Sequence, residues 1–157
     1  MIPPDAADKS LTPERRETLR ALVDMLVPAS DDARMPAAAD MPTVLQHVEQ
    51  FAAAQPVVRD GLDRLQEGAQ ARHGAGFATL DRANRATLLE EFAARRRDVL
   101  QRLAIEVVTC YYQQDRVLEG LGMEARPPYP DGYQVVSGDL TLLEHVTARG
   151  RIWRDAS

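Results

Sequence analysis

The chain has 157 residues and a formal charge of −5, and 45% of its residues are apolar but only 5% are aromatic. This size fits one domain with a single core. The scarcity of aromatic residues, with prominent alanine, favours closely packed helices over a sheet. The negative charge disfavours nucleic-acid binding, since the arginines at 95–97 lack interleaved aromatic residues. Because Glu90 and Glu91 precede these arginines by about one helical turn, the run is interpreted as a solvated helix face.

The beginning of the chain predicts a mobile arm at residues 1–10 and a single helical domain over residues 11–157. The first helix is expected to start at Pro13, with Thr12 as N-cap and Glu14 in its first turn. Pro28 closes this helix. Its apolar stripe consists of Leu19, Leu22, Val23 and Leu26.

Residues 29–40 are predicted to form a long loop, a kind of connection that is often functional or draped over a neighbour. The second helix is expected from about Pro42 to Ala54, and the third from Pro56 into Gly74 and Gly76. The side chains predicted to face inward are Val44, Leu45, Val48, Phe51, Val58, Leu62 and Leu65.

The next stretch predicts two helices with a boundary near Ala93. Asp81 is expected to cap the fourth helix, which buries Leu88, Leu89 and Phe92. The fifth helix runs from about Arg96 to Tyr112 and should be central, because apolar residues cover much of its circumference. These residues are Val99, Leu100, Leu103, Ala104, Val107, Val108 and Tyr111.

The end of the chain predicts two further short elements. Asp115 is expected to cap a helix that closes at Gly122, and Asp139 a last helix that ends at Gly150. The last helix carries Leu142, Leu143 and Val146. The predicted fold class is therefore all-α: a single irregular bundle of five to six helices with an extended Pro/Tyr-rich C-terminal segment.

The sequence shows none of the common catalytic or metal-binding patterns. His47, His73 and His145 lack the Glu-x-x-His spacing of di-iron bundles and the His-Glu-x-x-His spacing of zinc enzymes. Cys110 is the single cysteine, which excludes a Cys-x-x-Cys pair, and it is interpreted as a small buried apolar residue. We expect no catalytic, cofactor-binding or metal-binding residue in this chain. A small cofactor-independent enzyme is the weaker alternative, and it would need a polar pocket.

The chemistry of the chain is concentrated in a candidate contact surface. All four tyrosines lie between positions 111 and 133, next to a proline-rich stretch. Proline limits the entropy lost on binding and tyrosine supplies anchor area, although the stretch could instead fold back over its own bundle. Trp153 either caps the bundle or docks on a partner. Helical phase places Tyr111 in the core and Tyr112 at the interface. The candidate partner-binding residues are Tyr112, Arg126, Pro127, Pro128, Tyr129, Pro130, Tyr133 and Trp153.

The same stretch resembles the gluconate 2-dehydrogenase subunit 3 family, the small cofactor-free subunit of membrane-associated flavin dehydrogenases. The resemblance extends upstream to residues 11–14 and downstream to residues 149–154. It is carried by Tyr111, Tyr112, Leu121, Gly122, Pro127, Pro128, Pro130, Gly132 and Tyr133, with Leu22, Leu26, Val27 and Pro28 upstream.

The resemblance implies a non-catalytic small subunit that binds and stabilises an FAD-dependent dehydrogenase of the glucose-methanol-choline type. The large subunit would hold FAD and oxidise a sugar or alcohol, and this chain would support its folding and activity. The alternative is a free-standing helical adaptor or a self-associating interaction domain.

Family members often begin with a twin-arginine export signal, and no such signal is seen here. No run approaches the ~20 apolar residues that span a bilayer, so direct membrane insertion is not expected. The expectation is a cytoplasmic protein as the sequence stands, or a periplasmic one if an export signal has been removed.

Overall fold

The computed structural model describes residues 10–125 and 137–150, and these residues form helices and no strand. The predicted all-α class is therefore confirmed. The chain divides into two compact units, Met1–Ala125 and Arg126–Ser157, which are described separately.

The first unit contains five α-helices within its described residues. Short 3₁₀ turns at Ala38–Asp40 and Phe77–Thr79 precede the second and fourth of them. The helices are α1 (Pro13–Leu26), α2 (Pro42–Ala54), α3 (Pro56–His73), α4 (Arg82–Tyr111) and α5 (Asp115–Gly120).

The helix starts follow local capping chemistry. Thr12 is the N-cap of α1, and its hydroxyl accepts a 3.3 Å hydrogen bond from the Arg15 N–H. Asp81 caps α4 by accepting a 2.8 Å bond from the Asn84 N–H. Both predicted caps are confirmed. Helices α1, α2 and α3 each have proline at the first position, where the missing N–H costs no intrahelical bond.

One aliphatic core joins the helices of this unit. Helix α4 packs against α2 and α3, and α1 packs against α3. Gly61 of α3 faces α4 at close range, since a Cβ built there would lie 2.8 Å from Val99 Cγ1. The largest fully buried aliphatic side chains are Leu19, Leu22, Leu62, Leu65, Leu103, Val23, Val44, Val48, Val58 and Val99.

Helix α4 is broken at Arg96, whose backbone (φ −135°, ψ 47°) is not helical. The predicted boundary therefore exists, three residues after Ala93 and without the proline or glycine that usually marks a kink. Arg96 is held by a 2.7 Å ion pair with Asp60 of α3 and a 3.5 Å pair with Asp98. A long-range contact to α3 thus accompanies the change of direction.

Helix α5 ends as predicted but does not begin as predicted. Gly122 adopts φ +76°, and the N–H groups of Met123 and Gly122 donate to the carbonyls of Leu118 and Glu119, the pattern of a Schellman close. The predicted cap, Asp115, is instead the first helical residue. Gln114 occupies the N-cap position without a side-chain cap, because its amide donates to the Cys110 carbonyl at 2.9 Å.

The described part of the second unit is short. Asp139 caps a 3₁₀ turn, Leu140–Leu143, by accepting a 3.0 Å bond from the Thr141 N–H. A single helical turn, α6 (Glu144–Thr147), follows, and Gly150 adopts φ +70°. The predicted last helix is therefore two shorter pieces. Its large apolar side chains are all exposed: Leu140, Leu142, Leu143 and Val146.

Candidate partner-binding surface

The two adjacent tyrosines at the end of α4 have opposite environments. Tyr111 is 1% exposed, and its hydroxyl donates a 2.7 Å hydrogen bond to the Pro36 carbonyl. Burial raises the pKa of Tyr111, which keeps the phenol a neutral donor. Tyr112 is exposed, with its ring edge-on to that of Tyr111 at a centroid distance of 5.3 Å. The structure thus has Tyr111 in the core and Tyr112 on the surface.

An exposed apolar row runs along the C-terminal half of α4. It consists of Ile105 (56% exposed), Val108 (41%) and Tyr112 (47%). These residues share one face because their spacing is i, i+3, i+7. Beyond α5, Leu121 (48%) and Met123 (51%) are also exposed. We call these five residues the apolar surface.

Val108, named among the apolar residues that cover this helix, is 41% exposed and does not lie in the core. The buried line of α4 runs through Val99, Leu103, Val107 and Tyr111 at intervals of four residues. Val108 lies about 100° further around the helix than Val107, which places it on the solvent side. The broad apolar circumference of this helix therefore has two parts, one in the core and one exposed.

The loop between α1 and α2 supports the end of this region. A Cβ built on Gly120 would lie 2.6 Å from the Arg34 carbonyl oxygen and 2.8 Å from Met35 Sδ, so α5 passes directly against the loop backbone. The loop is closed by hydrogen bonds, with Met35 N–H donating to Ser30 Oγ at 2.9 Å. The predicted long loop therefore packs against the end of α5, just before Leu121 and Met123.

Two polar groups lie beside the row. His47 Nε2 is 3.0 Å from Glu106 Oε2, which links α2 to α4 next to Ile105. Cys110 is partly buried rather than fully buried as predicted, because it lies at the edge of the core near the Gln114 amide. Burial raises the pKa of the Cys110 thiol, which disfavours the reactive thiolate.

The remaining predicted contact residues lie outside the described residues and stay predictions. They are Arg126, Pro127, Pro128, Tyr129, Pro130, Tyr133 and Trp153. Tyr112 is the one candidate whose position is described. Ile105, Val108, Leu121 and Met123 were not among the predicted contact residues, although the i, i+3, i+7 spacing of the row is visible in the sequence.

The described residues contain neither a cluster of metal ligands nor a helix that could span a membrane. Within residues 10–125 and 137–150, no three His, Cys, Asp or Glu side chains come together as metal ligands. None of the helices in that part of the chain combines the length and hydropathy needed to cross a bilayer.

Comparison with known proteins identifies a class of dehydrogenase subunits. The family model described as gluconate 2-dehydrogenase subunit 3 matches residues 13–126, which is more than half of the chain. The chain therefore belongs to the gluconate 2-dehydrogenase subunit 3 family, and the resemblance seen in its sequence is confirmed. No curated protein and no solved structure gave a significant match.

Proposed function

We propose that this chain is a non-catalytic small subunit that binds an FAD-dependent dehydrogenase of the glucose-methanol-choline type and stabilises its folded form. The observation that carries the proposal is the apolar surface: five large apolar side chains that are 41–56% exposed, in a member of a dehydrogenase-subunit family. Clustered exposed apolar residues commonly mark a protein contact.

The surface has the composition of an interface centre. Tyrosine and methionine are enriched at such centres, and charged residues are depleted there. The row also lies on a rigid helix end, because the Tyr111 hydroxyl and Gly120 both hold α4 and α5 against the loop before α2. A rigid surface loses little conformational entropy on binding. Permanent interfaces usually bury more than about 2,000 Å², so we expect further residues to contact the same partner, and the predicted segment 126–133 is a candidate.

The proposed mechanism is mass action. A partner that binds only the folded large subunit lowers the unfolded fraction of that subunit. At a hundred times its Kd, it raises the free energy of unfolding by about 2.7 kcal/mol. A large subunit that opens less often also loses FAD less often. In this account FAD and the sugar or alcohol substrate belong to the large subunit, and this chain contributes surface.

Within the described residues, the carboxylates with perturbed pKa values owe their shifts to surface partners. The carboxylates whose pKa is lowered are Asp32, Asp60, Glu91 and Asp139, and each owes the shift mainly to a surface hydrogen bond or ion pair. Catalytic sites instead tend to gather perturbed groups in one pocket. Asp60 and Glu91 pair with arginines of α3 or α4, whereas Asp32 and Asp139 bond to residues close to them in sequence, so all four shifts arise from structural surface contacts.

The test is to produce a glucose-methanol-choline type dehydrogenase from the same organism with and without this chain. The proposal predicts that the wild-type chain co-purifies with a yellow flavoprotein and raises its soluble yield and flavin occupancy. Val108→Asp should abolish both effects, since it places a charge within the apolar row. Ala94→Asp is the matched control, because Ala94 is an exposed apolar residue of α4 on the other side of the Arg96 break.

The outcomes separate the proposal from its rivals. Full solubility, flavin occupancy and turnover of the dehydrogenase alone would refute the subunit role. If the purified chain sediments as a dimer that Val108→Asp converts to monomer, and the dehydrogenase does not bind, the surface belongs to a self-associating domain instead. Circular dichroism should show both variants folded, since both sites are exposed.

A further inference from the structure

A groove of about 750 Å³ lies between α3 and the first half of α4 and contains none of the residues of the apolar surface. Leu65, Leu88 and Phe92 line its floor, and arginines stand along its sides. The lining residues of α3 run from Arg64 to Arg72, a helix length of about 12 Å. This volume is that of a small-ligand site rather than of a protein interface.

Four arginines line the groove, and three of them form ion pairs within the described residues. Arg72 forms a two-pronged pair with Glu91, and Arg96 and Arg64 both pair with Asp60. Arg95 also lines the groove, but it makes no hydrogen bond or ion pair within the described residues. The pKa of Glu91 is lowered mainly by its hydrogen bond to Arg72 and further by the nearby charge of Arg95. Among the residues that the structure describes, Arg95 is therefore the groove arginine whose N–H groups have no acceptor.

Gly68 lies in the interior of α3 and lines the groove without a side chain. Glycine destabilises a helix interior relative to alanine, so its presence needs a reason. At Gly61 the reason is packing, because a Cβ there would lie 2.8 Å from Val99. At Gly68 the nearest atom would be Leu88 Cδ1 at 3.4 Å, an ordinary contact. A small side chain at Gly68 would therefore cause no clash inside the protein. A larger side chain there would fill the space of the groove.

We propose that this groove binds a small carboxylate with an apolar body, whose head pairs with Arg95 and whose body lies along Gly68 and Leu88. Guanidinium and carboxylate match in planar geometry. A singly charged head matches one available guanidinium. Glu67 and Glu91 also line the groove, and they repel the higher charge of a phosphate monoester more strongly than that of a carboxylate. The proposal is independent of the subunit role.

The test uses decanoate as probe and isothermal titration calorimetry at pH 7 on the full chain. Arg95→Glu should weaken decanoate binding at least tenfold, as expected for loss of a charge-assisted hydrogen bond plus like-charge repulsion. Arg97→Glu is the matched control, since Arg97 is an exposed arginine two residues away that does not line the groove. It should leave the affinity unchanged within about twofold.

Gly68→Met provides the second arm, because its side chain would occupy the groove while improving the helix. Decanoate affinity should fall at least tenfold, while the thermal midpoint stays level or rises. Decyltrimethylammonium and acetate, which lack the negative head and the apolar body respectively, should not bind at the decanoate concentrations used. Equal binding of decanoate by wild type, Arg95→Glu and Gly68→Met would overturn the proposal. Binding of an acidic amphipathic peptide without any binding of decanoate would also overturn it.

Discussion

The hydroxyl of Tyr111 donates a buried 2.7 Å hydrogen bond to the backbone carbonyl of Pro36, across 75 residues of sequence. This bond ties the end of α4 to the loop that leads into α2. Since Tyr112 follows directly on the surface, the bond also fixes the base of the apolar row. Tyr111 is therefore a structural determinant of the proposed interface without belonging to it.

Tyr111→Phe should lower the free energy of unfolding by about 1–2 kcal/mol, because it leaves the buried Pro36 carbonyl without its donor. The thermal midpoint should fall by about 4 °C for a chain of this size. Tyr112→Phe is the control, since the Tyr112 ring is exposed and its hydroxyl makes no hydrogen bond within the described residues. Urea unfolding of the two variants checks this, and equal losses would contradict it.

Replacement of two helical glycines by alanine should change the free energy of unfolding in opposite directions. Gly120→Ala forces a methyl group toward the Arg34 carbonyl, which is backbone and cannot rotate away, so we expect a loss of about 1–3 kcal/mol. Gly68→Ala meets ordinary contact distances and should gain up to about 1 kcal/mol from helix propensity. Thermal unfolding of both variants measures the difference. A gain in stability for Gly120→Ala would show that α5 does not rest on the loop.

Asp60 should make stability depend on acid pH. Its pKa is lowered from 3.8, first by the hydrogen bond from Arg96 and then by that from Arg64. A carboxyl with a lowered folded pKa stabilises the fold above its unfolded pKa, and this contribution is lost as the pH falls through the folded value. The contribution should be small, because the Asp60 side chain is 48% exposed.

Asp60→Asn should therefore cost stability at pH 7 and little at pH 2. Urea unfolding at both pH values gives the two differences from wild type. Asp31→Asn is the control, since Asp31 makes no ion pair within the described residues. A cost of Asp60→Asn that is the same at both pH values would argue against the ion pair.

Much of the helix layout was predictable because its determinants are local. Thr12 with Pro13 and Asp81 each specify a helix start within four residues, and Gly122 specifies a helix end, so these boundaries match the structure. The same holds for the phase that separates Tyr111 from Tyr112. Each of these features depends on neighbours along the chain.

The features that sequence reasoning missed depend on contacts between distant segments. The break of α4 was predicted near Ala93, but the contact of Arg96 with Asp60, 36 residues earlier, was not. The sequence did not separate Val108 from the buried residues of α4, because this helix is apolar on two faces and only packing against α2 and α3 decides which face is buried. The α3–α4 groove joins residues from two helices, so the arginines at 95–97 could be interpreted only as a helix face.

The most direct test of the central claim is the thermal unfolding of the purified flavin-loaded dehydrogenase, titrated with this chain. The midpoint should rise with the concentration of the wild-type chain and of Ala94→Asp, and it should not respond to Val108→Asp. A midpoint independent of the wild-type chain at saturating concentration would contradict the claim that this protein acts by stabilising a flavoprotein partner.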